Sequence, residues 1–401
     1  MSLIVQKFGG SSVADLTKVQ RVAKRITETY DAGNKVVVVV SAQGDTTDDL
    51  IAMAKQYNPN PSKREMDMLL STGEIVSASL LAMTIGGMGY PVVSLSGQQA
   101  GFLTTSTHGM ARIRKINTER LENELDHGNI VIVAGFQGMS RYDNVTTLGR
   151  GGSDTTAVAL AASLHANLCQ IFTDVDGVYT ADPRKVPGAE KLHEISFDEM
   201  LELATMGAQV LHNRSVEMAK KYNVKLEVLS SITGHPGTIV KDGRKMEKML
   251  IRGVAKDTNV VRVTLDGVEN RPGVAYRLFA LLAKDKINVD IILQTPEVDG
   301  KQSITFTISE DHKDDAVRLM EENMELLGAE VVNVEEDVAK VSIVGAGMET
   351  NPGVAAKMFE ALADADINIK LIATSEIKIS VIINESDADK AVNVIHEAFF
   401  G

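Results

Sequence analysis

The chain has no tryptophan, one cysteine and only 4% aromatic residues in 401 positions. A single thiol, Cys169, cannot close an internal disulfide, and its apolar neighbourhood marks it as core packing rather than a nucleophile. That usage fits a reducing compartment. Positive charge is also short: 41 Lys and Arg against 54 Asp and Glu leave a net charge of −13. Nucleic acid and anionic membrane both demand a basic surface, so small molecules are the expected ligands. No uninterrupted apolar stretch approaches the roughly 20 residues of a membrane span, and no basic region followed by a long apolar core opens the chain. These absences predict a soluble, cytoplasmic protein. With 44% apolar residues the chain can bury large cores and is too long for one ordinary domain, so two or three are expected.

Glycine, by contrast, is placed with purpose. Thr147 to Thr156 reads Thr-Leu-Gly-Arg-Gly-Gly-Ser-Asp-Thr-Thr and runs into the helix-forming stretch Ala157 to Leu164, whose start Ser153, Asp154 or Thr155 can cap. A helix start with glycines before it favours an anion, because unpaired amides point outward and no Cβ blocks the approach. Arg150 adds a planar donor fork suited to a carboxylate. Taken alone, the stretch supports an anion site and an ordinary capped turn equally.

Other loops share its character. Leu3 to Phe8 is a β-type run ending in Gly9-Gly10-Ser11-Ser12, followed by helical periodicity from Asp15 to Tyr30. Lys7 precedes the glycines, so this is not a Walker loop, and by itself the turn is a weak signal. Val36 to Val40 is the β-branched run of a strand covered on both faces; it breaks at Ser41-Ala42-Gln43-Gly44 before a helix near Thr47. Ser62-Lys63-Arg64-Glu65 has capping-box form and starts a helical pattern running towards Met83, interrupted by Gly73 beside Glu74. Packing is the commoner reason for such a glycine. Tyr90 to Leu95, Asn129 to Ala134, Leu168 to Phe172 and Lys225 to Ser230 read as strands, and Phe197 to Tyr222 as mostly helical. Four strand ends carry glycine or small polar residues. In an open α/β sheet the ligand crevice lies beyond the carboxyl ends of the strands, so their recurrence outweighs any one loop. Residues 1–245 are expected to form one such domain, an open, mostly parallel sheet with helices on both faces.

Beyond Gly243 the pattern changes. Pro272 to Ile292 and Pro352 to Ile372 match at ten of twenty-one positions at a constant offset of eighty, including Pro-Gly-Val-Ala and Ile-Asn. Such self-similarity marks an internal repeat. Each copy has the order of a ferredoxin-like βαββαβ unit. The first spans about 258–336 and the second about 337–401. The second lacks a closing strand, and the stretch 249–256 is expected to supply it, so that the first copy is inserted within the second.

Lys7-Phe8-Gly9-Gly10-Ser11-Ser12, Ser41 to Asp48, Gly73-Glu74, Gly135-Phe136-Gln137-Gly138, Thr147 to Thr156 and Thr173 to Tyr179 together resemble the aspartokinase family, in order and over essentially the whole chain. The repeats resemble its tandem ACT domains. The resemblance implies the amino-acid kinase fold and transfer of the γ-phosphoryl group of Mg-ATP to the β-carboxylate of L-aspartate, the first step of lysine, threonine and methionine biosynthesis. A carboxylate nucleophile is already ionised at neutral pH, so no general base is needed and the absence of a Ser/His/Asp set does not count against an enzyme. It further implies Lys7 and Asp154 as catalytic residues, and Lys7, Phe8, Gly9, Gly10, Ser11, Thr173, Asp174, Tyr179 and Arg184 around ATP. Ser41, Thr47, Glu74, Arg150 and Ser153 would hold aspartate, Glu74 taking its ammonium and Arg150 its α-carboxylate. Magnesium would arrive on ATP rather than at a protein metal site. Calcium-type ligation by Asp174, Asp176 and Asp182 is the alternative there, but the DxDxDG pattern and distal glutamate are missing.

The repeats imply lysine or threonine as effectors. Asn270, Gly273, Asn288, Val289, Asp290 and Gln294 of the first copy and Val354, Ala355, Asn368, Ile369, Thr374 and Ser375 of the second are the candidates. ACT units also imply a homo-oligomer, and Met246 or Met249 is a candidate start for a separate regulatory subunit. Two departures stand out: Ser11 replaces a common threonine, and Gln209 and Asn213 replace the lysine and proline often found around Val-Leu-His. The competing readings are another kinase of this fold (glutamate, acetylglutamate or uridylate) and a non-catalytic amino-acid sensor.

Overall fold

Runs of β-branched residues alternating with helix formers shape the first part of the chain. In the computed structural model, residues 1–205, 210–243, 251–296, 298–345 and 351–401 are described. Eight strands form one sheet in the order Glu194–Ser196, Thr238–Lys241, Leu226–Ser230, Leu168–Thr173, Leu3–Phe8, Lys35–Val40, Ile130–Ala134 and Val92–Leu95. Every neighbouring pair is parallel except Leu226–Ser230 with Thr238–Lys241. Val36 to Val40 are 0% exposed, as a central strand covered on both faces requires. Each such valine stabilises the fold by about 1.5–3 kcal/mol.

Val36, Val38 and Val40 share a core with the helices Leu16–Asp31 and Lys63–Gly87. The alternate valines face the helix Gly152–Ser163, which packs on the strands Leu3–Phe8, Lys35–Val40 and Leu168–Thr173. The fold class expected from the sequence is therefore borne out. A second sheet (Ile113–Ile116, Phe102–Thr104, Gln137–Ser140, Val145–Thr147) and the helix Glu119–Asp126 had no counterpart in the sequence reading. Their strands are three or four residues long, too short to show a period.

Lys63–Gly87 is, by length and composition alone, apolar enough to cross a membrane. Its Asp67 and Glu74 are nevertheless buried inside the protein, while Met68, Ile75, Val76, Leu80 and Met83 of the same helix are exposed. Ser62 caps it by accepting from the Glu65 amide at 3.3 Å, while the Glu65 carboxylate pairs with Arg64 instead of completing a capping box.

The described residues divide into two compact units, Met1–Tyr179 with Lys191–Thr205 and 210–243 forming one. Thr180–Glu190, read from sequence as part of the first domain, belongs to the second. Its Ala181 and Val186 are buried with Ile251, Val254, Val392 and Ile395, and the Thr180 carbonyl accepts from the Val254 amide at 2.7 Å.

In the second unit each repeat forms a four-stranded antiparallel sheet. The first has the order Ile292–Gln294, Lys301–Ile308, Val261–Glu269, Val331–Glu335, and the second Gly253–Asp257, Val338–Val344, Lys378–Asn384, Leu371–Thr374. The Pro-Gly turns place Gly273 and Gly353 at φ of 91° and 99°, each opening a helix, Val274–Lys284 and Val354–Asp364. Only glycine adopts that backbone without strain.

Candidate active site

The strands ending at Phe8, Val40, Ala134 and Thr173 are contiguous in the sheet, so their loops meet at one edge. The amide of Ser41 donates to the Phe8 carbonyl at 3.2 Å and that of Gly44 to the Gly10 carbonyl at 3.1 Å. A Cβ on Gly10 would lie 2.5 Å from the Ala42 carbonyl oxygen, so only glycine allows this approach. Gly73 does the same from the helix side: its missing Cβ would meet that of Ala42 at 2.8 Å. Close packing there seats Glu74 beneath the loop, where Glu74 Oε1 accepts from the Ala42 amide at 3.2 Å.

Glu74 is 4% exposed and its Oε2 is buried with no hydrogen-bond partner. Burial pushes its carboxyl up to about 7, because an ion out of water with a single amide donor is poorly compensated. A buried acceptor left unpaired suits a cationic ligand.

The Gly-rich loop starts its helix earlier than the sequence suggested. Gly151, at φ 66°, is the N-cap, so Ser153, Asp154 and Thr155 lie inside the first turn and none of them caps. Thr155 and Thr156 instead donate back to the carbonyls of Gly151 and Gly152. Asp154 is thereby released to face Lys7: its Oδ1 lies 2.6 Å from Lys7 Nζ, both side chains 13% exposed. The pair is held by charge rather than by hydrogen-bond geometry, since Oδ1 accepts no well-aligned hydrogen bond. Gly135 makes room for Ser153, whose Oγ would sit 2.8 Å from a Cβ there. Arg150 is exposed, its guanidinium bonded to none of the described residues.

Thr173 and Asp174 lie at the adjoining strand end, with Thr173 Oγ1 donating to Asp174 Oδ1 at 2.9 Å. Tyr179 is committed elsewhere: its hydroxyl donates to Asp176 at 2.6 Å, which pushes the phenol up to about 12. Arg184 lies in the second unit, paired with Asp182 at 3.0 Å. Ser11 is exposed in the short helical turn Gly10–Val13, and Thr47 is half-buried in the first turn of the helix Thr46–Tyr57. Gln209, Met246 and Met249 lie outside the described residues. Asn213 opens the helix Asn213–Tyr222 behind His212, whose imidazole burial holds below its usual range. No group of acidic, His or Cys side chains among the described residues has metal-site geometry. Burial pushes the Cys169 thiol up, which leaves it inert.

Comparison with known proteins agrees with this geometry. The chain matches the amino acid kinase family over residues 2–230 and the ACT domain over 262–324 and 341–399. It is 52% identical to the aspartokinase of Mycolicibacterium smegmatis, covering 100% of this chain and 96% of that protein. It is 51% identical to aspartokinase 2 of Bacillus subtilis, with 100% and 98% covered. The chain belongs to the aspartokinase family. Its fold superposes on E. coli aspartokinase III solved with aspartate and ADP, with a TM-score of 0.86 at 28% identity and all of both chains covered. The same protein solved with lysine and aspartate gives a TM-score of 0.76 at 28% identity, again over all of both chains.

Candidate effector residues of this aspartokinase-family chain scatter over the ACT repeats. Gln294 ends an exposed edge strand and donates to Gln302 at 2.5 Å; Thr374 ends the equivalent edge, and the amide of Ser375 donates to the Lys378 carbonyl at 2.8 Å. Asn288 and Asn368 are exposed just before those strands, with Val289 and Ile369 half-buried beside them. Val354 is buried and Ala355 half-buried at the helix start behind Gly353, while the Asn270 amide donates to the Gly300 carbonyl at 3.0 Å. Asp290 pairs at 2.5 Å with Lys340, a buried lysine of the second repeat.

Proposed function

We propose that this site transfers the γ-phosphoryl group of Mg-ATP to the β-carboxylate of L-aspartate, giving 4-phospho-L-aspartate and ADP. The observation that carries the assignment of roles is the arrangement of charge at one sheet edge. A lysine and an aspartate stand at a helix start, a buried carboxylate has an unpaired oxygen, and an arginine has its fork free. An amino acid with a second carboxylate answers all of them.

Glu74 Oε2 takes the substrate ammonium and Arg150 its α-carboxylate, which leaves the β-carboxylate to face the phosphates. Thr47, Ser41 and Ser153 supply hydroxyls to orient it. The nucleophile is ionised at neutral pH, so the protein moves no proton; it aligns two anions and neutralises their repulsion. Lys7 supplies that charge to the transferring group, while the amides of Gly9, Gly10 and Ser11 and the helix start at Gly152 donate to phosphate oxygens. Asp154 holds Lys7 in place. Thr173, Asp174 and Tyr179 are the nucleotide residues of this reading, with magnesium carried on ATP. The ACT repeats serve regulation by lysine, alone or with threonine, and pair chains into an oligomer in the cytoplasm. The E. coli relative solved with lysine supports the lysine part.

Aspartate-dependent ADP release tests the reaction, with the acyl phosphate trapped by hydroxylamine as aspartyl hydroxamate. Glutamate should be a poor substrate. Equal turnover of glutamate, or none of aspartate, overturns the assignment.

A further inference from the structure

The Gly-rich loop is held from below by a group that takes no part in the chemistry just described. Asp67, on the helix Lys63–Gly87, is 1% exposed and carries a carboxylate into the protein interior. Its Oδ1 accepts from Thr147 Oγ1 at 2.5 Å and from the Gly109 amide at 3.0 Å. Its Oδ2 lies 3.1 Å from that amide and 2.8 Å from His108 Nδ1. A buried carboxylate is costly unless its lone pairs are met, and here both oxygens are met by groups from two other segments.

Those segments flank the loop. Thr147 is the last residue of the strand Val145–Thr147, and Gly149-Arg150-Gly151-Gly152 follows within two residues. The Thr147 carbonyl accepts from the Ala111 amide at 2.9 Å, and the Leu148 amide donates to the Phe136 carbonyl at 2.8 Å. Arg214 closes the stem from the other side, donating to the carbonyls of Leu148 and Ala111 at 2.9 Å each. Beyond Leu148 the restraint changes kind. Gly149 and Gly151 both sit at positive φ, and the Gly149 Cα packs so close to Gly109 that a Cβ would lie 3.1 Å from its carbonyl oxygen. Arg150 thus projects from a short, glycine-hinged tip whose base is fixed through Asp67.

We propose that Asp67 is a positioning residue: by clamping His108-Gly109 to Thr147 it sets where the Arg150 guanidinium stands, and so governs recognition of the substrate α-carboxylate. The inference rests on the reading of Arg150 as the carboxylate-binding residue. Asparagine at 67 keeps the shape but turns one acceptor into a donor facing the Gly109 amide and His108. The clamp then opens and the loop tip shifts. A displacement near 1 Å is enough to cost about 100-fold where a bidentate pair must align.

The test is a double-mutant cycle on the intact protein, with KM for aspartate, KM for ATP, kcat and Tm measured for Asp67→Asn, Arg150→Ala and the pair. Asp67→Asn should raise the aspartate KM at least about 10-fold and leave the ATP KM within about 2-fold. In the Arg150→Ala background the same change should add less than about 2-fold, because a lost fork cannot be misplaced a second time. Thr147→Val removes one donor of the clamp without altering shape, and it should move the aspartate KM in the same direction even if Asp67→Asn does not fold. A fall in Tm with unchanged aspartate KM in either clamp variant overturns the proposal, as does full additivity with Arg150→Ala. If Arg150→Ala itself leaves the aspartate KM unchanged, the reading of Arg150 fails instead, and the two failures are told apart.

Discussion

Glu74 ties substrate affinity to pH, and the size of the effect follows from its burial. With its carboxyl at about 7 in the free enzyme, Glu74 is about 10% ionised at pH 6, half ionised at pH 7 and about 90% ionised at pH 8. Only the ionised form pairs with the substrate ammonium, so kcat/KM for aspartate should fall about tenfold per pH unit below 7 and level off above 8. Once bound, the ammonium favours the charged carboxylate, so kcat at saturating aspartate should vary much less. The assay is coupled ADP release at saturating Mg-ATP between pH 5.5 and 8.5. Glu74→Gln should raise KM and flatten the profile, which separates this residue from titrations of ATP itself. The same shift has a stability readout. The folded carboxyl lies above its unfolded value of 4.5, so the folded state binds more protons between these values. Its contribution is therefore fully present below pH 4.5 and lost as pH rises through 7, a change of about 3 kcal/mol. Relative to wild type, the Tm of Glu74→Gln should climb by about 5–10 °C from pH 5 to pH 8. A flat wild-type profile from pH 6 to 8, or the same inflection in Glu74→Gln, refutes the reasoning.

Lys7→Ala should lower kcat by about 100- to 1000-fold, as for loss of one preorganised charge; single-turnover kinetics check it, and near-normal kcat would make the Lys7–Asp154 pair structural only. Arg150→Lys should raise the aspartate KM with little effect on kcat, because an ammonium cannot reproduce the fork; an unchanged KM would mean the arginine is not bidentate. Inhibition by lysine should be relieved by Gln294→Ala or Ser375→Ala while activity without effector survives, since an effector acts only through unequal affinity for two states. If aspartate-family amino acids neither bind nor inhibit the active protein, the repeats are assembly modules.

The chemistry-bearing loops were legible in sequence because the features that serve them are local. Glycine before a helix, β-branched runs such as Val36 to Val40, and the repeated Pro-Gly turn each act over a few residues, and the structure has the predicted elements around them. What sequence missed is set by distance along the chain. Asp67 meets Thr147 across eighty residues, and Arg214 meets Leu148 across sixty-six. The signal available was an aspartate two turns before Glu74 on one helical face, which composition alone assigns to solvent. Thr180–Glu190 lies within the amino acid kinase match yet packs in the second unit, because its Ala181 and Val186 find core partners that only the structure brings to them. In sequence any of Ser153, Asp154 and Thr155 makes a good cap, two to four residues beyond the actual one. Gly151 in a left-handed conformation takes that place and turns Asp154 towards Lys7.

Asp67 and Glu74 show how one helix serves two ends with the same functional group. They are seven residues apart, two turns, and so share a face of Lys63–Gly87, with the buried Ser71 and Gly73 between them. Both are buried carboxylates, yet their surroundings differ. Asp67 has both oxygens met by Gly109, His108 and Thr147. Glu74 has one amide and an empty Oε2. A carboxylate whose hydrogen bonds are complete has nothing left to offer a ligand and stabilises one backbone arrangement. The other is held by the fold at a cost of about 3 kcal/mol in its ionised form, a strain that pairing with a substrate ammonium relieves. The difference predicts opposite stability effects for the two amide substitutions. Glu74→Gln should stabilise the free enzyme at pH 8, since it removes an uncompensated charge, whereas Asp67→Asn should lower its Tm, since it leaves the Gly109 amide facing a donor. Thermal melts of both variants at pH 8 decide it, and a loss of stability in both would place Glu74 among the structural carboxylates and take the substrate ammonium away from it.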